Sequence, residues 1–312
     1  LVGIGLQQAA FLAHDALHNG ISSAARGGGV NVYGAVMGSA VFGISSAMWL
    51  EEHNLHHAIT LRPREDPQHD MLPFFMHTLK ELEGPNAFQM GYVSKFLVSI
   101  QHWTLVPMAL VIGRVNLVLN SFCYAVRHCV SSKHARLDVL FMTFHCSAYL
   151  ILNYCYLETY FQMLIFGLFL SLAVGILHIQ LLLSHLATET FTREEEQNIG
   201  FFEFQLRTSR NITCKFYEHW FFGGLEYQIE HHLFPMLPRH HLKDVKPMVE
   251  EICQKHGIKY RSIRPIRALL ECLADFKEIA HEVVCPPDIC VPLSASTKLS
   301  NNERADPHHR DQ

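Results

Sequence analysis

Three short segments of this chain each contain two or three histidines at spacings that could bind a metal ion. They read HDALH (residues 14–18), HNLHH (53–57) and QIEHH (228–232), and we name them boxes 1, 2 and 3. Imidazole is mostly neutral at pH 7 and offers a lone pair to cations such as iron, zinc or copper. Residues three or four apart share one face of a helix, so boxes 1 and 2 each project their histidines in one direction. The spacing therefore predicts metal binding.

The number of histidines indicates more than one metal ion. The boxes supply His14, His18, His53, His56, His57, His231 and His232. A single zinc site needs about four ligands, so this set suits two metal ions better than one. Without a metal, many buried nitrogens would lack partners. We interpret the isolated histidines as hydrogen-bonded structural residues: His77, His102, His128, His145 and His178.

The composition indicates a protein associated with lipid. Of 312 residues, 49% are hydrophobic and only 17% are charged, with a mean hydropathy of +0.11. Soluble domains carry about 25% charged residues. The net charge of -4 and the lack of a basic stripe exclude a nucleic-acid partner. Nine cysteines without a C-x-x-C pair favour reduced thiols over a disulfide framework.

Two neighbouring apolar segments predict a membrane hairpin. Residues 161–183 contain no charged side chain and are long enough to cross a bilayer. Residues 139–157 are similarly apolar, and Glu158 and Thr159 between the two segments predict a tight turn. Residues 1–13 are also apolar but too short to cross a core of about 30 Å, so we expect the chain to begin inside a membrane helix.

Two further apolar stretches, residues 30–50 and 96–120, are ambiguous. Ligands of one metal centre must lie on one side of the membrane. The chain must therefore cross an even number of times between consecutive boxes. We expect residues 30–50 to cross an even number of times or to dip into the interface. Residues 96–120 contain Pro107, Arg114 and Asn116, which favours an interfacial segment.

The chain becomes polar after residue 183, and we expect a cytosolic segment that continues to about residue 280. Residues 247–256 have a helical pattern that Gly257 would close. Residues 1–280 are predicted to form one domain. The remainder, 281–312, is rich in Pro, Ser, Asn and charge, which predicts a disordered tail in which His308 and His309 have no role.

The boxes and their flanks resemble the membrane-bound fatty acid desaturases, and specifically their front-end (delta-5/delta-6-type) group. The resemblance rests on boxes 1 and 2, on GGLEYQIEHHLFP (223–235) and on LPRHHLKDVKPMVEEICQKHGIKY (237–260). Gln228 at the start of box 3, where many desaturases have histidine, is typical of the front-end group. The similarity extends over residues 1–270.

The resemblance implies an all-α integral membrane protein with transmembrane helical hairpins. A cytosolic helical cap would hold two non-haem iron ions. The implied ligands are the seven box histidines and His185, which follows the last membrane helix. Gln228 would coordinate weakly or hold a metal-bound water. Asp15 and Glu230 would each orient a neighbouring imidazole.

The implied reaction is O2-dependent insertion of a cis double bond into a long (poly)unsaturated acyl chain, of delta-6 or delta-5 type. The acyl group would be carried by coenzyme A or by a phospholipid. Electrons would come from cytochrome b5 and its NADH-dependent reductase, at an endoplasmic reticulum membrane with the boxes facing the cytosol. The family's usual His-Pro-Gly-Gly haem motif does not occur in these 312 residues, which we interpret as missing sequence.

Three alternatives share parts of this pattern. A sphingolipid long-chain-base delta-8 desaturase and a membrane fatty acyl hydroxylase use the same histidine framework. A non-catalytic metal-binding membrane protein, such as a transporter, is the third alternative. It is disfavoured because its ligands are expected at mid-membrane, whereas the boxes lie at helix ends and in polar segments.

Overall fold

Helices make up nearly all the regular structure in the computed structural model, which describes residues 1–21 and 31–285. The predicted disordered tail lies outside these residues from 286 onward. The α-helices are α1 (Val2–Leu17), α2 (Val32–Ala35), α3 (Ser46–Ala58), α4 (Tyr92–Ser99), α5 (Gln101–Val111), α6 (Gly113–His128), α7 (Lys133–Tyr156), α8 (Tyr160–Leu183), α9 (Arg193–Glu196), α10 (Phe201–Thr208), α11 (His219–Phe222), α12 (Gln228–Leu233), α13 (Leu242–His256) and α14 (Pro265–Val284).

Shorter elements connect these helices. A π-helix, Val36–Phe42, continues α2, and two strands of two residues each, β1 (Asn211–Ile212) and β2 (Ser262–Ile263), pair in parallel. The 3₁₀ helices are Leu79–Leu82, Phe216–Glu218, Leu225–Tyr227 and Arg239–His241.

The predicted membrane hairpin is confirmed as α7 and α8. Both helices have 24 residues and are long and apolar enough to cross a membrane. Thr159 in the turn and Gln162 cap α8 reciprocally. The first helix begins at Lys133, six residues before the predicted 139, because Ser132 caps it and the buried Asp138 finds hydrogen-bond donors on another segment.

Glycines bring other helices close to α8. A Cβ placed on Gly175 would lie 2.5 Å from the backbone of Leu110 in α5, and one on Gly3 of α1 would lie 2.4 Å from the Cβ of Ala173. Small residues allow such close approach between helices in a membrane. Helices α1 and α5 therefore pack directly on the hairpin.

The two ambiguous segments are bent rather than straight. The Val32–Phe42 helical segment meets α3 at 106°, and α5 meets α6 at 66°. Gly43, at φ +85°, occupies the first bend. Neither segment is a single straight crossing, but each bent pair is apolar enough to count as one broken crossing. Length and composition thus allow two to four crossings among the described residues.

Helices α9 to α14 form the rest of the fold around an apolar core that includes Leu186, Phe222 and Phe276. The predicted helix at 247–256 is confirmed as part of α13, and Gly257 ends it at φ +67°. Helix α14 continues to Val284, so it includes the first four residues of the segment predicted to be a disordered tail. Its apolar face packs on α4 and α5, which keeps the helix regular through residues 281–284.

Candidate metal centre

Four helix ends bring the predicted ligands together. Box 1 lies at the C-terminal end of α1, box 2 on α3 and box 3 on α12, while His185 follows the end of α8. Seven of these eight histidines are buried, and His14 is partly exposed. The structure therefore brings all eight predicted ligands together in one cluster.

The cluster divides into two neighbouring groups. The candidate ligand nitrogens of the first group, and likewise those of the second, all lie within 4.8 Å of one another. The first group consists of His14, His18, His53 and His231. The second consists of His56, His185 and His232. Boxes 2 and 3 thus each contribute to both groups.

His57 lies between the two groups. Its ring centroid is 4.7 Å from that of His231 in the first group and 4.2 Å from that of His232 in the second. Its Nε2 is 3.2 Å from the Nε2 of His53. The two groups are therefore parts of one continuous cluster of imidazoles.

His69 lies beside the second group, although its position in the sequence does not predict it as a ligand. Together with His56 and Asp66 it forms a third set whose candidate ligand atoms lie within 4.8 Å of one another. Its ring centroid is 5.1 Å from that of His185. His69 lies in the loop after α3, where no helical spacing marks it. Its position three residues after Asp66 is visible in the sequence but does not by itself mark a ligand.

Most of the rings are held at Nδ1 by an acceptor outside the cluster. The acceptors are Asp15 for His14 (3.4 Å), Gln68 for His53 (2.8 Å), Asp66 for His56 (2.7 Å) and His69 (3.1 Å), the Thr208 carbonyl for His185 (3.2 Å) and Gln205 for His232 (2.9 Å). These contacts put the ring proton on Nδ1. The Nε2 lone pairs then face the interior of the cluster, as in metal sites.

The Nε2 lone pairs require a cation between them. The Nε2 atoms of His14 and His53 are 3.2 Å apart, and each ring carries its proton on the opposite nitrogen, so two lone pairs face each other. The Nε2 atoms of His18, His231 and His232 are buried and have no hydrogen-bond partner among the described residues. A bound metal ion would accept the facing lone pairs and would give the unpartnered nitrogens a partner. The donor set therefore fits a metal centre.

Burial also keeps these rings in the metal-binding form. It lowers the pKa of His53, His57, His185, His231 and His232 well below the usual value. Neutral imidazoles keep the lone pair that a metal ion needs. Burial alone would raise the pKa of Asp66, but its contacts with His56 and His69 hold that pKa below the usual range, so the carboxylate remains charged.

Asp15 and Gln228 contact the cluster as outer partners. The Asp15 carboxylate contacts His14 and accepts from Nε (2.7 Å) and Nη2 (2.8 Å) of Arg239, which ties box 1 to the segment after box 3. The side-chain amide of Gln228 lies 3.0 Å from Nε2 of His185. Gln228 is thus next to the nitrogen of His185 that faces the second group, where it could also contact a molecule bound there.

Glu230 does not orient an imidazole, contrary to the prediction. Its carboxylate accepts from Nδ2 of Asn211 (2.7 Å) and from the Tyr260 hydroxyl (2.7 Å). Burial raises the pKa of this carboxyl. Glu230 points away from the cluster because its neighbours His231 and His232 occupy the opposite side of the short helix α12. It fixes that helix to β1 and to the chain before β2.

The isolated histidines lie outside the metal-binding groups among the described residues. His77 pairs with Glu81 at 2.5 Å, and His145 contacts Arg114 and the Ala40 carbonyl. None of the remaining three, His102, His128 and His178, belongs to a described set of candidate ligands. The buried Nδ1 atoms of His102 and His178 have no hydrogen-bond partner among the described residues, so the expected hydrogen bonds are missing at these two nitrogens.

A narrow crevice reaches the cluster at the first group. It is lined by His14, His231, Arg239 and the Gly223-Gly224 turn. A larger apolar cavity among the membrane helices has none of the cluster histidines in its wall. Of these two, the narrow crevice is the one that reaches the metal centre.

Comparison with known proteins gives the family. The fatty acid desaturase profile matches residues 1–264. Over 272 residues the chain is 33% identical to Delta(8)-fatty-acid desaturase 2 of Arabidopsis thaliana, covering 84% of this chain and 59% of that protein. It is also 33% identical over 276 residues to the Delta 8-(E)-sphingolipid desaturase of Lachancea kluyveri, covering 83% of this chain and 47% of the relative.

The chain thus spans about half to three fifths of the length of these relatives. No solved structure matches it. The match to the family profile includes all three boxes, His69 and His185. The chain belongs to the fatty acid desaturase family.

Proposed function

We propose that this chain is the catalytic part of an O2-dependent lipid desaturase that uses two non-haem iron ions. The observation that carries the proposal is the pair of adjacent groups of buried imidazoles whose unpartnered lone pairs face inward. Imidazole binds iron well, and the set is too large for one zinc ion. When bound, the iron pair would supply the oxidising power to remove hydrogen from an unactivated methylene.

The two groups assign the residues to the two ions. His14, His18, His53 and His231 would hold one iron, and His56, His185 and His232, with His69, would hold the other. His57 stands between them and can reach either. The Gln228 amide contacts Nε2 of His185, the nitrogen that would bind the second ion.

The other side chains hold this arrangement and keep water out. Asp66 fixes the orientation of two rings at once, and Gln68 and Gln205 fix one ring each. The Asp15–Arg239 pair joins the segments that carry boxes 1 and 3. Burial of the cluster limits the access of bulk water to the site, which protects reactive species from side reactions.

The relatives favour a delta-8 reaction over the delta-6 or delta-5 reaction predicted from the sequence. Two groups of them carry the names Delta(8)-fatty-acid desaturase and Delta 8-(E)-sphingolipid desaturase. We therefore propose a sphingolipid long-chain base as the favoured substrate. The second candidate is an acyl chain on coenzyme A or phospholipid, and it is supported by Gln228 of box 3. Cytochrome b5 with its reductase, and an endoplasmic reticulum membrane with cytosolic boxes, remain part of the proposal.

The test is lipid analysis in yeast that lacks its own delta-8 activity and expresses the full-length parent of this chain. Long-chain bases and fatty acids are measured separately by mass spectrometry, with ceramide precursors or polyunsaturated acids supplied. A new species two mass units lighter in the long-chain bases supports the proposal, and its fragments locate the double bond. The His231→Ala/His232→Ala variant should lack that species, whereas His256→Ala, on the exposed end of α13, should retain it.

Other outcomes separate the alternatives. A lighter species among the fatty acids alone would assign the enzyme to the acyl group instead. A product heavier by one oxygen atom would make it a hydroxylase. No histidine-dependent product in either lipid class, with the protein present in the membrane, would contradict desaturation.

A further inference from the structure

Helices α1, α6, α7 and α8 line a large, partly open apolar cavity away from the metal centre. Its volume is about 1180 Å³, and its wall includes Leu6, Val115 and Leu164. Pockets that bind drug-sized molecules occupy about 300–1,000 Å³, so a long hydrocarbon chain fits here. Two of the helices, α7 and α8, are the membrane hairpin. The cavity therefore lies where lipid is the available ligand.

One residue in the wall of this cavity carries a full positive charge. Arg114 of α6 lines the cavity and is only 6% exposed. Its Nη1 is buried and has no hydrogen-bond partner among the described residues. The cavity wall includes no Asp or Glu. A guanidinium does not lose its proton in proteins, so this charge needs a counter-ion from elsewhere.

The neighbours of Arg114 do not neutralise it. Its Nη2 lies 3.1 Å from Nε2 of His145. Arginine can only donate, so this nitrogen must accept, and Nδ1 of His145 then donates to the Ala40 carbonyl at 3.2 Å. His145 is therefore a neutral acceptor. The guanidinium also stacks over Phe42 at 4.8 Å, which holds its plane in place.

The cavity is separate from the metal centre. Leu6 and Leu170 line it, and both pack against an apolar cluster that includes Phe11, Phe42 and Val174. Phe11 precedes box 1 on α1, so this cluster stands between the cavity and the histidines. A molecule in the cavity would not contact the groups that do the chemistry.

We propose that the cavity is a second lipid site, which binds an amphiphile with an anionic headgroup and a long hydrocarbon chain. The anion pairs with the guanidinium of Arg114, and the chain fills the apolar space lined by α1, α6, α7 and α8. A fatty acid carboxylate and a phospholipid phosphate share this chemistry. The site is additional to the substrate site of the proposed desaturation.

The experiment uses the full-length protein, delipidated in an uncharged detergent. Thermal unfolding is followed with oleate, oleyl alcohol, phosphatidylglycerol or phosphatidylcholine added. A ligand that binds only the folded protein raises its melting temperature. We expect an anionic amphiphile to bind at least about tenfold more tightly than its uncharged counterpart, because a hydrogen-bonded ion pair replaces an unpaired buried charge.

Variants locate the binding. Arg114→Gln should lose the preference for anions, whereas Arg127→Gln, which removes an exposed charge from the same helix, should keep it. Val118→Trp, which fills the cavity one turn from Arg114, should remove binding without changing the charge. All three variants would still bind a lipid held at the metal centre. Differences between them therefore report binding in the cavity. Native mass spectrometry of the purified protein distinguishes a bound fatty acid from a bound phospholipid.

Two results would overturn the site. One is equal stabilisation by oleate and oleyl alcohol in the unmodified protein, as expected if Arg114 is paired with a carboxylate from a segment preceding Leu1. The other is an anion preference that survives in both Arg114→Gln and Val118→Trp. If Arg114→Gln does not fold, the Val118→Trp comparison still decides.

Discussion

At the scale of single residues, Asp66 and His69 are the main addition to the site expected from sequence. The Asp66 carboxylate contacts Nδ1 of both His56 and His69, and it also accepts from the backbone N–H of Leu61 at 2.8 Å. One side chain thus orients two rings and shapes the loop between them. This carboxylate holds the loop residue His69 in a cluster whose other histidines lie at or next to helix ends.

His69→Ala should lower the iron content of the full-length protein toward half of its normal value, because the second group loses one of its imidazoles. Asp66→Asn should have a smaller effect, with metal affinity reduced by about 10- to 100-fold, since both rings stay but lose their orientation. Iron per chain is measured by elemental analysis of purified protein. His256→Ala is the control. An iron content unchanged in His69→Ala would exclude this residue as a ligand.

The box histidines could be predicted because their spacing and flanks are both visible in the sequence. His69 could not be predicted, because it lies in a loop. Tertiary folding brings it to the cluster, and helical periodicity in the sequence does not indicate that contact. Glu230 shows the opposite case. Its place beside two ligands suggested an orienting role, but the direction of a side chain on a short helix depends on Asn211 and Tyr260, which lie 19 and 30 residues away.

At the scale of elements, Asp138 fixes the bend that positions box 2. Its carboxylate accepts from the hydroxyls of Ser39 (2.6 Å), Ser45 (2.8 Å) and Ser46 (2.7 Å) and from the backbone N–H of Ala47 (2.9 Å). A carboxylate at the start of α3 also suits the positive end of the helix dipole. The contact joins the membrane helix α7 to the helix that carries His53, His56 and His57.

Asp138→Ala should therefore destabilise the protein by several kcal/mol, because each buried donor left without an acceptor costs about 1–3 kcal/mol. Asp138→Asn keeps one acceptor oxygen and should lose less. The measurement is the midpoint of thermal unfolding in detergent, together with bound iron. Asp244→Ala, which removes an exposed carboxylate on α13, should change neither. Equal midpoints for Asp138→Ala and Asp244→Ala would show that this cluster does not hold the bend.

The contact between α5 and α8 depends on a single glycine. A Cβ at position 175 would lie 2.5 Å from both the Cα and the carbonyl oxygen of Leu110, which are backbone atoms that cannot move aside. Gly175→Ala should separate the helices and cost about 1–3 kcal/mol, as overpacking does. In Gly167→Ala the new atom meets only the Tyr149 hydroxyl at 3.1 Å, so unfolding should change little. Indistinguishable melting of the two variants would contradict this packing.

Element types could be predicted from the sequence better than element directions. The hairpin was predictable because the length of an apolar segment and its lack of charge are visible in the sequence. These two properties suffice to identify a straight crossing. The bends of 106° and 66° were not, because they arise from Gly43 in a left-handed conformation and from packing on α7 and α8. Hydropathy reports that residues 30–50 and 96–120 are apolar but not where the chain changes direction.

At the scale of the whole molecule, the hairpin determines on which side of the membrane the metal centre lies. Helices α7 and α8 each have 24 residues, about 36 Å at 1.5 Å per residue, against a hydrocarbon core of about 30 Å. His185 follows α8 and belongs to the cluster. The turn between the helices must therefore lie on the membrane face opposite the cluster.

Single cysteines introduced into a cysteine-free version of the full-length protein should report this arrangement. In sealed microsomes with the cytosolic face outward, a membrane-impermeant maleimide should label Glu194→Cys, which follows the hairpin on the side of the cluster. It should label Glu158→Cys, in the exposed turn, only after detergent opens the vesicles. Labelling of both residues in sealed vesicles would mean that α7 and α8 do not cross the membrane. The reverse pattern would place the metal centre on the lumenal side, away from a cytosolic electron donor.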